Sequence, residues 1–324
     1  MDNNLIEMYN SYISSSHISV EKCPDSHSLS LTLANDKGKA VIYTLWPGID
    51  LIYFDICTSS LPGDTKENTA LELLQFNYCV NGRIEMSLDD TTYIYLKEND
   101  FCISKQSSRS DSFFPAKQYQ GVTLYFDMNL LRNPDNSISE VFNLNFSLIP
   151  EIYLCKLGTY IAQASGKIEK TLSNLWSLFY TPSLFYMRLY VVEILHLLLE
   201  GDTLPAKACS FYTNVQVALA KKVEEILTAD LRSHIPVRVL AEQLSVSETS
   251  LKNYFRGVYG RNISDYLRTM RMDTAARLLT GTTLSIAEIS VQVGYAKQGK
   301  FAAVFRQQFH MNPLEYRRIK RLEN

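Results

Sequence analysis

Leu240-Ala241-Glu242-Gln243-Leu244-Ser245-Val246-Ser247-Glu248-Thr249-Ser250-Leu251-Lys252-Asn253-Tyr254-Phe255-Arg256 reads as two short helices joined by a tight turn. Across Val237 to Leu244, the residues Leu240, Ala241 and Leu244 recur at helical spacing and form an inward stripe. Ala241 is small where two helices must approach closely. Ser245-Val246-Ser247 supplies the turn: Val246 plugs the angle, Ser247 offers an N-cap hydroxyl, and Glu248 sets a negative charge in the first turn that follows. The second helix, Glu248 to Val258, turns Leu251, Phe255 and Val258 inward and leaves Thr249, Lys252, Asn253 and Arg256 on its outer face.

The same grammar occurs again downstream. Leu240-Ala241 matches Ile289-Ser290 at an offset of 49, and after a one-residue insertion Leu251, Phe255 and Arg256 match Phe301, Phe305 and Arg306 at an offset of 50. Tyr259 and Phe309, Asp265 and Glu315, and Tyr266 and Tyr316 keep that second offset. A repeated supersecondary unit accounts for the pattern. The second copy runs through Ser285 to Val293, turns at Gly294-Tyr295-Ala296 and continues from Lys297 to Phe309. Phe301, Val304 and Phe305 face inward there, with Lys297, Gln298, Lys300 and Arg306 outward. Ser264 to Thr280 between the copies reads as one helix of about 25 Å.

Two helix-turn-helix units that expose donor-rich side chains point to a nucleic-acid duplex. Thr249, Lys252, Asn253, Gln298 and Lys300 suit base edges; Arg256, Arg306, Ser247 and Lys297 suit phosphates. A connecting helix of this length sets the helices 248–258 and 297–309 to enter two successive major grooves, about 34 Å apart. Charge agrees: from Tyr212 onward there are 17 Lys and Arg against 10 Asp and Glu, whereas the first 211 residues hold 15 against 24. The alternatives for these residues are a solvated helix face and, for Arg256 and Arg306, ion pairs with neighbouring acids. Arg271, among core-facing residues, is expected to pair with an acid such as Asp265 or Asp273 rather than to meet DNA.

These residues resemble the C-terminal domain of the AraC/XylS family of bacterial transcription regulators. The resemblance rests on Leu240-Ala241-Glu242-Gln243-Leu244, Ser247-x3-Leu251-x3-Phe255-Arg256, Tyr266-Leu267-x3-Arg271-x3-Ala275-x2-Leu278-Leu279, Ile286-Ala287-Glu288-Ile289, Val293-Gly294-Tyr295, Phe301-x3-Phe305-Arg306 and Pro313-x2-Tyr316-Arg317. It covers about a third of the chain. His310 and Asn312 depart from it, standing where the family commonly has Gly and Ser or Thr, and Gly299 and Ala303 replace larger side chains on the second reading helix. The resemblance implies a regulator of double-stranded DNA, an activator responsive to a small-molecule effector, acting as a homodimer with RNA polymerase as a partner.

Upstream, the first 130 or so residues read as β. Leu29 to Leu33, Lys39 to Leu45, Asp50 to Ile56, Leu71 to Val80, Thr92 to Leu96, Phe101 to Ser104 and Gly121 to Asp127 are rich in β-branched and aromatic residues. Asn81-Gly82 signals a two-residue hairpin, followed by the alternating Arg83 to Leu88. Tyr93 to Ile103 resembles the strand-turn-strand of the family's cupin-like sensor. Helical spacing then takes over in Leu172, Leu175, Trp176 and Phe179 and in Tyr186 to Glu200, whose apolar side is either core or a dimer seam. Gly201 ends that helix, and Pro205 marks a linker. The expected fold is α+β: a cupin-like β-barrel sensor over 1–134, a helical connector over 135–207 and an all-α domain with two helix-turn-helix units over 208–324. Trp46, Tyr78, Phe101 and Tyr125 are candidates either for an effector cavity or for core packing.

Other classes find little support. The chain of 324 residues is 46% hydrophobic, yet its longest apolar run, Val191 to Leu199, is broken by Glu193 and His196, too short for a membrane span of roughly 20 residues. Met1 to Leu5 lacks a secretory pattern, and the cysteines at 23, 57, 79, 102, 155 and 209 form no Cys-x-x-Cys pair, which together predict a cytoplasmic protein with reduced thiols. The histidines at 17, 27, 196, 234 and 310 show no ligand spacing, so no metal or other cofactor is expected. No glycine-rich phosphate loop or nucleophile elbow occurs. The competing reading is a cupin-type barrel enzyme with a vestigial helical appendage.

Overall fold

Tyr53 and Phe54 are adjacent in sequence and serve two different cores, because successive side chains of a strand point to opposite faces. The computed structural model describes residues 18–22, 28–33, 38–61, 72–88, 91–105, 112–133, 137–154, 158–200 and 210–322. The helix stop at Gly201, the linker at Pro205, Cys23, Cys155, Cys209, His17 and His27 lie outside these residues. Among the described residues, Cys57, Cys79 and Cys102 form no disulfide. The chain divides into two units, Met1–Phe211 and Tyr212–Asn324.

The first unit holds β1 (Ile18–Lys22), β2 (Ser28–Leu33), β3 (Gly38–Trp46), β4 (Ile49–Ile56), β5 (Ser60–Leu61), β6 (Leu73–Ser87), β7 (Thr92–Lys97), β8 (Asp100–Lys105), β9 (Ser112–Phe113), β10 (Tyr119–Asp127) and β11 (Thr159–Gln163). Their ladders are antiparallel and run β1-β2-β3-β4-β10-β6. The first half of β6 also pairs with β8, which carries β11; its second half turns to β7 and β9. Among the described residues the path does not return to β1, so the sheet is open where a closed barrel was expected.

The bend in β6 explains the division and corrects the hairpin expectation. Asn81 and Gly82 do not turn the chain back, since only Gly82 takes a positive φ, 88°, and a two-residue hairpin needs two. The strand runs straight through, and the register against β10 slips there, with Gln120 opposite Asn81 but Gly121 opposite Cys79. This bulge re-aims Arg83 to Ser87 toward a different partner. A Cβ at Gly82 would lie 2.2 Å from the Gln118 carbonyl oxygen, so glycine is required at the bend.

Helices α1 (Met128–Leu131), α2 (Ser137–Phe142), α3 (Leu148–Tyr153), α4 (Gly166–Ser177) and α5 (Leu184–Leu199) complete the unit. One sheet face, with Val41, Tyr43, Tyr53, Phe76 and Leu124, packs against Leu172 and Leu175 of α4 and Val191, Leu195 and Leu198 of α5. Tyr53 donates to the Leu175 carbonyl at 2.8 Å and Tyr153 to that of Leu198 at 2.7 Å, which satisfies two hydroxyls inside an apolar layer. Leu195 is fully buried, so this side of α5 is core; Phe185 and Leu189 point outward. Of the four aromatic candidates, Tyr78 and Phe101 belong to this core, Trp46 packs at its margin and Tyr125 lies on the other sheet face.

The second unit contains α6 (Asn214–Ala229), α7 (Val237–Gln243), α8 (Glu248–Tyr259), α9 (Ile263–Gly281), α10 (Ile286–Gln292), α11 (Gln298–Phe309) and α12 (Pro313–Leu322). The sequence repeat is a structural one. Phe255, Tyr259 and Tyr266 form an aromatic cluster with ring separations of 4.5, 5.3 and 4.8 Å, and their counterparts Phe305, Phe309 and Tyr316 sit at 4.6, 5.4 and 5.1 Å. Each cluster anchors the second helix of its unit to the helix that follows it. Such pairs contribute about 0.5–1.5 kcal/mol beyond the area they bury.

Candidate nucleic-acid interface

The turn between α7 and α8 is built from backbone contacts that recur between α10 and α11. Val246 N–H donates to the Ala241 carbonyl at 3.0 Å, and Tyr295 N–H to that of Ser290 at 2.8 Å. The preceding residue takes the left-handed conformation in both, Ser245 at φ 55° and Gly294 at φ 82°. Leu240, Ala241, Leu251 and Phe255 are buried in the first copy and Ile289, Ser290, Phe301 and Phe305 in the second. The second helix of each unit is thus fixed by its inner stripe, and its outer face is presented by default.

Thr249, Lys252, Asn253 and Arg256 on α8, and Lys297, Gln298, Lys300 and Arg306 on or before α11, are all exposed. Among the described residues, the side chains of Thr249, Asn253, Arg256, Lys297, Gln298, Lys300 and Arg306 make no hydrogen bond or ion pair. The acid-paired alternative for Arg256 and Arg306 therefore finds no partner there. Lys252 lies 3.0 Å from Glu248 one turn earlier on α8. An exposed pair of this kind is worth about 0.3–0.5 kcal/mol and yields readily to a competing acceptor. Ser247 caps α8, accepting from Ser250 N–H at 3.1 Å and donating to the Ser250 hydroxyl at 2.9 Å. Its counterpart Lys297 caps α11 without a side-chain bond.

The two outer faces differ in chemistry. Gly299 has nothing within 4 Å of the place a Cβ would occupy, and Ala303 beside it is exposed. At the repeat offset of 50 the second helix therefore offers a bare strip where the first offers Thr249 and Asn253.

Arg271 does not pair with Asp265 or Asp273. It donates to the carbonyls of Leu231 at 2.8 Å and Ser233 at 3.1 Å, and its guanidinium lies over the Tyr295 ring. Asp265 instead binds Arg268 at 2.8 Å, and Asp273 accepts from Gln308 at 2.7 Å. A planar guanidinium with a fork of donors suits two carbonyls better than one carboxylate. Its repeat counterpart, Arg321, likewise donates to the Thr282 carbonyl. Asn312, a departure from the family pattern, accepts from Glu315 N–H at 2.9 Å while its own N–H donates to the Glu315 carboxylate at 3.0 Å. It supplies the N-cap of α12.

Sequence reading missed a concavity at the end of α8, where Arg256, Arg261 and Arg268 come together around Asn262, with Asp265 the one acid among its described lining residues. The three arise from a helix, a cap and the next helix, which no linear spacing reveals. One signal was available: Arg256 and Arg268 recur as Arg306 and Arg318 at the repeat offset of 50.

The helix-turn-helix domain family matches residues 240–319. The transcriptional activator RhaR of Enterobacter sp. (strain 638) is 31% identical over 108 residues, which are 33% of this chain and 38% of RhaR. The chain thus matches about two fifths of that relative's length. The regulatory protein SoxS of Escherichia coli (strain K12) is 34% identical over 101 residues, 30% of this chain and 94% of SoxS. The solved C-terminal domain of AraT, a response regulator from Geobacillus stearothermophilus, is 28% identical, with 33% of this chain and 85% of that one covered and a TM-score of 0.30. With SoxS matched almost end to end by the repeated helix-turn-helix segment, the chain belongs to the AraC/XylS family of bacterial transcription regulators.

Proposed function

We propose that this chain is a sequence-specific regulator of transcription, an activator that binds double-stranded DNA by placing α8 and α11 in two successive major grooves. Thr249, Lys252, Asn253, Gln298 and Lys300 read base edges; Arg256, Arg306, Lys297 and the Ser247 cap hold phosphates. The observation that carries this reading is the row of exposed donors, nearly all without partners among the described residues, on both copies of a repeated helix-turn-helix. α9, at about 28 Å for its 19 residues, supports the spacing of the two helices. The relatives are regulators by name, two of them RhaR and SoxS, and this chain acts by binding rather than by turnover.

The β unit is the sensor in this reading, a cupin-like module in which a small-molecule effector changes how the helical unit is presented. Such coupling requires that the effector bind two arrangements unequally. The protein works in the cytoplasm as a homodimer and contacts RNA polymerase. No helix among the described residues is long and apolar enough to cross a membrane.

The test is selection of duplexes from a random pool by the full chain, followed by a salt titration of the enriched site. An enriched sequence with two half-sites one helical turn apart is expected. Its affinity should fall with salt at a log–log slope of at least about −3, since three cations meet phosphate at about −0.9 each. Recovery of no shared sequence would sink the proposal.

A further inference from the structure

The two faces of the β3-β4-β10-β6 sheet are built differently. The helix-covered face is apolar throughout at Val41, Tyr53, Phe76 and Leu124. On the opposite face Ile42 and Ile52 continue that character, but β6 and β10 then contribute Gln75, Asn77, Thr123 and Tyr125. These four are cross-strand neighbours, Gln75 opposite Tyr125 and Asn77 opposite Thr123. Gln75 Nε2 donates to the Tyr125 hydroxyl at 2.7 Å and the Thr123 hydroxyl to Asn77 Oδ1 at 2.8 Å. Asn77 and Thr123 are almost wholly buried. Polar side chains on an inner apolar face cost stability wherever a group is left unpaired, so packing alone does not call for this quartet.

All four line one cavity, together with apolar residues that include Leu31, Ile84 and Phe114. Two donors remain there. Among the described residues Asn77 is bonded through its oxygen alone, which leaves its amide nitrogen without an acceptor, and the buried Tyr119 hydroxyl, on a residue lining the same cavity, has no hydrogen-bond partner. The Tyr119 ring lies across Gly121, where a Cβ would stand 2.4 Å from the hydroxyl oxygen, so glycine permits its position. Burial holds this phenol well above its ordinary pKa, which keeps it a neutral donor. Among the described residues, no Lys, Arg, His, Asp or Glu lines the cavity, so an ionic ligand would lose its hydration there without a counter-charge from them.

We infer that this cavity binds an uncharged, largely apolar small molecule whose carbonyl oxygen accepts from Asn77 and Tyr119. The assignment gives chemical content to the sensing role proposed above, and it does not depend on DNA binding.

Benzamide is a suitable probe, with benzoate and benzylammonium as charged analogues of similar shape. Calorimetric titration of the full chain is expected to show one saturable benzamide site, with both charged analogues at least about tenfold weaker. Tyr119→Phe keeps the ring and deletes only the partnerless hydroxyl, so it should melt no lower than the wild type yet bind benzamide about tenfold more weakly. Asn77→Leu should weaken it to a similar extent. The inference is overturned if benzamide shows no saturable binding up to its solubility limit, if either charged analogue binds as tightly, or if Tyr119→Phe and Asn77→Leu, folded by circular dichroism, keep wild-type affinity. Duplex binding measured on the same samples separates the two proposals: a chain that binds its duplex but not benzamide loses only this one.

Discussion

His310 holds, at φ 57°, the left-handed helix stop that Gly260 holds at φ 71° in the first repeat copy. Each turns its backbone N–H onto the carbonyl of an arginine four residues earlier, Arg306 at 2.9 Å and Arg256 at 2.8 Å. The hydrogen bond is the same, and the conformation is strained in only one of the two. A side chain in this region costs about 1–2 kcal/mol, while glycine's extra freedom in the unfolded chain costs back about 0.5–1. His310→Gly is therefore expected to stabilise the helical unit by about 0.5–1 kcal/mol, and Gly260→Ala to destabilise it by about 1 kcal/mol or more. Denaturant midpoints followed by helical circular dichroism measure both. A lowered midpoint for His310→Gly would show that its imidazole makes a contact worth more than the strain.

Gly294 is under a tighter constraint than its counterpart Ser245. A Cβ there would stand 2.5 Å from the Leu231 carbonyl oxygen and 2.8 Å from Arg271 Nη2, the guanidinium nitrogen that binds Ser233. Adding one methyl group thus combines backbone strain with displacement of the arginine. Gly294→Ala should cost about 2–4 kcal/mol, whereas Ser245→Gly should be neutral or stabilising. Thermal melts of the two variants decide the matter; equal and small effects would mean that the turn relaxes freely.

The ease of reading this chain follows from how locally each feature is determined. The helix-turn-helix copies were legible because their inner stripes, caps and turns repeat within short windows, and Leu251 and Phe301 fall where the spacing puts them. The strands were legible from alternation, but their pairing was not. Asn81-Gly82 carries a local hairpin signal that the β10 ladder overrides, since β10 needs a bend at that point and not a reversal. Arg271 was read from its neighbours in sequence, but its partners, Leu231 and Ser233, come from the loop before α7. The polar quartet was hidden for the same reason: Gln75 and Tyr125 are 50 residues apart and meet only in the sheet.

Asp273 gives the helical unit a pH signature. Burial raises its carboxyl pKa, against the opposing pull of Arg261, Arg277 and the Gln308 hydrogen bond. A folded-state pKa above the unfolded value means that the folded chain binds the proton more readily. The wild type therefore gains stability from this group as pH falls through the carboxylate range and lacks that gain at neutral pH. Asp273→Asn keeps an acceptor for Gln308 and removes the buried charge. It should be more stable than wild type at neutral pH, with the gap closing as pH drops below the ordinary aspartate range. A gap that widens on acidification would reverse the assignment.

The contrast between the outer faces of α8 and α11 predicts unequal roles in choosing sequence. On α8, Lys252 and Asn253 are adjacent and exposed, and only the weak Glu248 contact holds Lys252. Lys can reach N7 and O6 of guanine and Asn the N6 and N7 of adenine, with about 1–3 kcal/mol of discrimination for each well-made pair. On α11, Gly299 and Ala303 bring no side-chain donors, so the proposed reading leaves base contact to Gln298 and Lys300 and assigns Arg306, near the helix end, to phosphate. Lys252→Ala and Asn253→Ala should each relax preference at defined positions in one half of the site by about 1–3 kcal/mol. Arg306→Ala should instead weaken every duplex about equally and reduce the salt slope by about one unit. Binding of each variant to a library of single-base changes at fixed salt separates these outcomes. If base preference survives Lys252→Ala and Asn253→Ala but is lost in Gln298→Ala, then α11 is the dominant reader and its bare strip is where its backbone approaches the bases.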